Sequence, residues 1–447
     1  MKRLFHVSVL LILIATTVSA HEWTLQECIN HALQYNTDLR KTVISKLSSQ
    51  EDVLQSKADL LPSLTATTSQ NVTYRPWTQS GSSTVANGYA VSSVDKVYYN
   101  GSYGINANWT LWNGNKNRNT VKLNKLKEQA AELDSAETAN MLQEQIAQLY
   151  VQILYSKEAI KVTRESLTKS QKNEERGKTM YEVGSMSKAD LAQLTSQRAE
   201  DEYNVVAAES NLRNYKRQLK EMLQITDNEP FDVADLAASD EMALRAIPNM
   251  ETVYSEALAT RPEIKSTQLA IDISNMNVKI AKAGRMPTIG LNASAITNTT
   301  SMNSEAWGTQ MKNNFNLGAG LSVSIPILDN RSTKTAVRKA MLQKQDYLLD
   351  MEKQRTSLYS DIENFWINAT NNQNKFKAAK VSTQSYKESY DLLSEQFDLG
   401  LKNIVELMTG KYNLLNAQQN ELQSKYLTIY NIYMLEFYRN GELEIKN

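Results

Sequence analysis

Between Val97 and Leu111 the chain alternates in character. Tyr99, Gly101, Tyr103, Ile105, Ala107, Trp109 and Leu111 form one set; Asn100, Ser102, Gly104, Asn106, Asn108 and Thr110 form the other. A period of two with one apolar, aromatic face predicts a β-strand. The opposite face carries amides, hydroxyls and a glycine but no charge, as suits a wet lumen. The pattern returns from Phe315 to Ile325. There Leu317, Ala319, Leu321 and Val323 face one way, and Asn316, Gly318, Gly320 and Ser322 the other. Ile289, Leu291, Ala293 and Ala295 form a third strand opposed by Gly290, Asn292 and Ser294. Ser63 to Tyr74 alternates more weakly, with Leu64, Ala66, Val72 and Tyr74 on one side. Strands of about 10 residues patterned in this way fit a transmembrane barrel. A soluble sandwich strand is the alternative for any one of them alone. On the barrel reading, Tyr99, Tyr103, Trp109 and Leu321 are candidates for the lipid face and its aromatic girdle. Asn106, Asn108, Asn316 and Ser322 are candidates for the lumen.

A longer period governs the rest of the chain. Trp23 to Tyr35 reads as a short amphipathic helix, and a second runs from the cap Asn36-Thr37-Asp38 to about Asp59, where Leu61-Pro62 stops it. From Asn117 to Glu182 no proline occurs, and the only glycine is Gly177. Ile146, Ile153, Ile160 and Leu167 fall seven apart, a coiled-coil signature. This predicts one helix over 117–182, roughly 100 Å long at 1.5 Å per residue. It breaks at Val183-Gly184-Ser185, and Ser187 caps a return helix over 187–223. A second long helix is expected over 331–397, a turn at Leu399-Gly400-Leu401, and a return helix over 403–437 with Met408, Leu415, Leu422 and Ile429 again seven apart.

The order of elements repeats. Met286-Pro287-Thr288-Ile289 corresponds to Leu61-Pro62-Ser63-Leu64, and Phe397-Asp398-Leu399-Gly400 to Tyr181-Glu182-Val183-Gly184. One repeat therefore covers 21–225 with a β-hairpin at 63–111, and the other 250–437 with a β-hairpin at 288–327. A mixed connector at 226–249 separates them, and 438–447 is a tail. Pro76 to Lys96 and Thr297 to Asn313 read as polar loops at the hairpin tips.

Composition narrows the function. Among 447 residues, Lys+Arg and Asp+Glu both number 49, so nothing points to a nucleic-acid partner. Lys2 and Arg3 before the apolar run Leu4 to Ile14, with Val18-Ser19-Ala20 behind, predict a signal peptide over 1–20. No later segment approaches the ~20 apolar residues of a spanning helix, so a membrane span must be built from strands. Cys28 is the only cysteine and reads as a packed thiol. His6, His21 and His31 are too few and too scattered for a metal site. No cofactor fingerprint, Walker loop or nucleophilic triad appears, so the expectation is a passive conduit and no enzyme. Four strands cannot enclose a channel, and open edges are not tolerated in lipid. Three chains would supply twelve strands by symmetry, which predicts a homotrimer. The fold expected is mainly α, with four strands per chain in a shared transmembrane β-barrel and long antiparallel helices forming a tunnel. A trimeric surface adhesin is the competing class, and would need no internal repeat.

The motifs Trp23-Thr24-Leu25-Gln26-Glu27-Cys28, Leu61-Pro62-Ser63-Leu64, Trp109-Thr110-Leu111-Trp112-Asn113-Gly114, Val183-Gly184 with Asp190-Leu191, and Leu399-Gly400 with Glu406-Leu407 resemble those of the TolC family of outer-membrane efflux proteins. The resemblance covers nearly the whole mature chain. It implies an outer-membrane trimer with a periplasmic α-helical tunnel. Partners implied are a periplasmic adaptor protein, an inner-membrane pump of RND or ABC type, and outer-membrane lipid. The cargo implied is drugs, or proteins in a type I secretion duct. The resemblance also places adaptor contacts at the tips Val183, Gly184, Leu399 and Gly400. It assigns Glu406 to an acidic ring at the periplasmic gate and Lys402 to a basic position that holds the gate shut. Thr409 stands where the family has a second acid.

Overall fold

The computed structural model describes residues 22–77, 81–85, 88–92, 96–227, 229–235, 238–441 and 443. The expected signal peptide, and most of the last residues of the tail, lie outside them. Local chemistry sets the first boundaries. β1 (Glu22–Trp23) leads into α1 (Leu25–Tyr35), opened by a capping box in which Thr24 Oγ1 accepts the Glu27 N–H and Glu27 Oε2 accepts the Thr24 N–H. α2 (Thr37–Ala58), β2 (Ser63–Tyr74), β3 (Gly81–Val85), β4 (Gly88–Ser92) and β5 (Val97–Trp112) follow. Then come α3 (Lys116–Glu182), α4 (Lys188–Met222), β6 (Asp232–Val233), α5 (Asp240–Leu244), α6 (Met250–Thr260) and α7 (Pro262–Ala283). β7 (Thr288–Thr300), α8 (Trp307–Asn313), β8 (Asn316–Ser324), α9 (Ser332–Asp398) and α10 (Ile404–Asn440) complete the order. α3 and α9 are 67 residues each. They run that far because no proline interrupts them and the one internal glycine costs only about 1 kcal/mol.

The chain divides into two compact units. One comprises the described parts of 1–41, 136–261 and 356–447; it is helical, and its core includes Cys28, Ile29, Ile146, Ile153, Phe376, Ile429 and Phe437. The described residues of the expected connector 226–249 are ordered into β6 and α5 within this unit. β6 pairs in parallel with β1, Tyr150 Oη donates to Ala234 O at 2.8 Å, and Gln373 Nε2 donates to Ala243 O at 3.0 Å beneath α5. In the first half of α10 the buried stripe is displaced from the expected heptad, while Ile429 is buried at its expected position. Ile404, Leu407, Lys411 and Leu414 are buried, while Met408, Leu415 and Leu422 are half-buried. The apolar count missed this because the true stripe contains a glycine and a lysine.

The other unit, 42–135 with 262–355, holds a four-stranded antiparallel sheet in the order β2-β5-β7-β8. Helices α2, α3, α7 and α9 all join it at one end, and the connections 75–96 and 301–315 leave from the other. Three expectations are corrected here. The register slips between Thr110 and Trp112, so Trp112 instead of Leu111 stands opposite Ile289. A bulge adds one residue and shifts parity, which alternation alone does not reveal. The stretch Thr297 to Asn313 is not a plain loop, because β7 continues to Thr300 and α8 follows. Pro76 to Lys96 likewise contains the β3–β4 pair.

Candidate functional site

The sheet sorts the predicted strand residues onto two faces. Asn106 lies between Thr65 and Ser294, Asn108 between Ser63 and Asn292, Ser322 opposite Gly290, and Asn316 opposite Ile296, all on one face by parity. Small hydroxyl and amide groups there bond along the sheet: Asn106 Nδ2 donates to Thr67 Oγ1 at 3.4 Å, and Ser322 Oγ to Gly290 O at 3.3 Å. The other face aligns Trp109 with Leu291 and Leu321, Ala107 with Leu64 and Ala293, and Tyr99 with Val72. Within one chain this apolar face is open, with Leu317 76% and Leu321 65% exposed. Trp109 Nε1 donates to Leu60 O at 2.8 Å, which ties the strand end to the segment after α2. Tyr103 shares the face but is covered. Its ring meets Trp307 edge-on at 5.9 Å, and its hydroxyl accepts from Gln70 Nε2 at 2.7 Å.

The helical hairpins turn by one device used twice. Gly184 and Gly400 adopt φ of 77° and 70°. Ser185 N–H reaches Met180 O at 2.8 Å and Leu401 N–H reaches Gln396 O at 2.9 Å, the long bond of a Schellman motif; the glycine N–H makes the short one in each. A side chain at either glycine would meet nothing within 4 Å. Glycine is needed for its left-handed backbone and not for space. Val183 and Leu399, just before the glycines, are each 74% exposed.

The next helix is capped differently in each hairpin. Ser187 Oγ accepts the Asp190 N–H at 3.1 Å and donates to Asp190 Oδ2 at 2.7 Å. At the second, Asn403 Oδ1 accepts the Glu406 N–H at 3.0 Å, and Glu406 Oε2 accepts the Asn403 N–H at 3.3 Å. Glu406 Oε1 accepts from Lys402 Nζ at 2.6 Å. The bond from Lys402, then that from the Asn403 N–H, hold the Glu406 carboxyl below the usual carboxylate range. Both of its oxygens are thus engaged within the chain. Thr409 Oγ1 donates to Val405 O at 2.7 Å on its own helix.

Sequence reasoning missed the buried links between the two hairpins. Lys411 on α10, Asp201 on α4 and Ser170 on α3 form a closed hydrogen-bonded triangle. The three residues are 5%, 2% and 2% exposed. Burial lowers the Lys411 ammonium pKa against the pull of Asp201. Arg176 pairs with Asp398, and Leu194 of α4 joins Tyr390, Phe397, Ile404 and Leu407 in one apolar cluster. Gly177 and Gly410 lie where a side chain would press on Leu194 and Leu393 at 2.4 and 2.7 Å. The available signal was a lysine and a glycine on the stripe otherwise formed by Ile404, Leu407 and Leu414.

Among the described residues no group of three metal-ligating side chains lies together, and no helix is long and apolar enough to cross a membrane. Cys28 is buried, its thiol pushed up to about 12, so it behaves as a packing group. The sequence model of the outer membrane efflux protein family matches residues 28–223 and 253–431. The chain is 22% identical to outer membrane protein TolC of Vibrio cholerae, over 94% of its own length and 91% of that protein's. It is 24% identical to outer membrane protein TolC of Escherichia coli K12, over 95% of its length and 84% of that protein's. Its fold matches the crystal structure of the CmeC outer membrane channel of Campylobacter jejuni with a TM-score of 0.76 at 20% identity, covering 95% of this chain and 87% of that one.

Proposed function

The chain belongs to the outer membrane efflux protein family and is an outer-membrane channel of tripartite efflux systems, and from this premise we propose how its parts divide that work. Three copies join their sheets edge to edge into one barrel, with Tyr99, Tyr103, Trp109 and Leu321 toward lipid and Asn106, Asn108, Asn316 and Ser322 toward water. The observation that carries this is the four-stranded sheet, open on its apolar face and bonded on only one side at β2 and at β8. The open apolar face suits lipid, but the unpaired edges are not stable there unless neighbouring chains complete the ladder. The helical repeats, 21–225 and 250–437, continue as the periplasmic tunnel. Their tips at Val183, Gly184, Leu399 and Gly400 dock on a periplasmic adaptor, and an inner-membrane pump of RND or ABC type supplies the energy.

Glu406 and Lys402 form the gate in this reading. Three symmetry copies of Glu406 concentrate negative charge in a narrow mouth and favour cations. The bond between Lys402 and Glu406 sets the direction of the test. Glu406→Ala combined with Lys402→Ala should raise single-channel conductance in planar bilayers and admit vancomycin to cells. Unchanged conductance and unchanged vancomycin sensitivity would reject the gate assignment while leaving the barrel intact. The drug susceptibility and secreted-protein profile of a deletion strain separate drug efflux from protein export.

A further inference from the structure

β8 begins at Asn316, opposite Ile296, while β7 runs on to Thr300, so the last residues of β7 have no strand on that side. Side chains take the strand's place. Gln310 Oε1 accepts the Thr300 N–H at 2.8 Å and its Nε2 donates to Thr300 O at 3.0 Å. Asn314 Nδ2 donates to Asn298 O at 2.6 Å. A side-chain amide carries the same donor and acceptor as a peptide group, so Gln310, only 5% exposed, stands in for a ladder residue.

α8 then lies over one face of the sheet. Thr297 Oγ1 donates to Met311 O at 2.7 Å, Thr297 and Thr299 are almost fully buried, and the Trp307 ring rests on Tyr103. By parity these residues share the face of Ile105, Ala295 and Leu321, not that of Asn106 and Ser322. There Thr297, Thr299, Gln70 and the Tyr103 hydroxyl form a polar belt across an otherwise apolar surface. α8 covers that belt and presents Trp307 outward, 58% exposed, with Met302 and Phe315 also half exposed. It sits at the end of the sheet opposite the one where α2, α3, α7 and α9 join.

We propose that α8 is a lipid-facing clip: it lies at the boundary between headgroups and acyl chains in the outer leaflet, with Trp307 as its anchor, and does not fold over the pore mouth. The proposal rests on the face assignment given above. Continuity with the apolar sheet face argues for lipid as the occupant, and an indole at the sheet end suits the interfacial belt. Trp307 has a free apolar edge, while its Nε1–H points to the Tyr103 hydroxyl at 3.4 Å.

Nitroxide labels at Gly308→Cys, Leu321→Cys and Ser322→Cys, in a Cys28→Ala background, test it in trimers reconstituted in phosphatidylcholine vesicles. A β-carbon at Gly308 meets nothing within 4 Å, so the cysteine itself fits there without a clash. Collisions with oxygen should exceed those with a water-soluble nickel chelate severalfold at 308 and 321, and the reverse should hold at 322. If 308 behaves like 322 while 321 stays oxygen-accessible, the clip is wrong and the barrel reading stands. If 321 also favours the nickel chelate, the face assignment fails and the clip with it. Trp307→Ala should leave single-channel conductance unchanged; altered conductance would mark α8 as a mouth lid and overturn the proposal.

Discussion

Leu317 and Leu321 on β8 are 76% and 65% exposed, whereas Leu407 and Leu414 on α10 are 1% and 2% exposed. Burying a leucine contributes about 1.5–3 kcal/mol, so the two elements draw their stability from different places. α10 satisfies itself within the chain, through the apolar cluster with Leu194 and Phe397 and the Lys411–Asp201–Ser170 triangle. β8 has its leucines and valine covered only by their cross-strand neighbours and otherwise open. The difference teaches where the chain is finished and where it is written for its surroundings. The helical hairpins are joined by contacts a monomer can make, and the sheet waits for neighbouring strands and lipid.

The sharpest break of that contrast is Asp201→Ala. It leaves Lys411 buried without its counter-ion and should cost about 3–5 kcal/mol, read as a lower midpoint of helix loss in urea. The double change Asp201→Leu with Lys411→Met should recover most of that loss. Leu321→Arg should be next. A cation on the lipid side of a strand costs about 2–4 kcal/mol near the bilayer midplane, whereas Ser322→Arg on the other face should leave the trimer band on a semi-native gel intact. Gly184→Ala and Gly400→Ala should each cost about 1–2 kcal/mol, because the left-handed backbone is strained for any residue with a β-carbon. The two values should agree closely, since the turns are the same motif; unequal melting shifts would show that the tips differ in what they touch. The smallest effect belongs to Glu406. Its carboxyl is held below the ordinary glutamate value of 4.5, so its contribution is complete above that pH. That contribution disappears as pH falls through the lowered folded value, and Glu406→Gln should flatten the acid limb of a melting profile in that window.

The long helices were legible because periodicity and the absence of breakers act over many residues. The expected 117–182 and 331–397 lie within one residue of the observed ends. The glycine turns were legible too, since glycine takes the left-handed backbone of such an ending without the β-carbon penalty, although Gln224 closes α4 in the same way at a φ of 58°. The bulge at Thr110/Trp112 was not, because one inserted residue leaves the composition of a strand untouched. α8 was hidden for a related reason. Its polar residues resemble a loop until Gln310 and Asn314 are seen to replace a missing strand. At the tips, the position of Glu406 was visible, but its capping role depends on Asn403 and Lys402 folding onto it. Lys411 escaped notice because a lysine on a buried stripe is recognised only once Asp201, 210 positions earlier, is found beside it.

The bare flanks of β2 and β8 constrain the order of biogenesis. A solitary protomer that entered the bilayer would carry two rows of unquenched amides into hydrocarbon, each group costing several kcal/mol. Protomers must therefore find one another before, or as, they sink into lipid. Until then their naked flanks are templates on which another strand can pair.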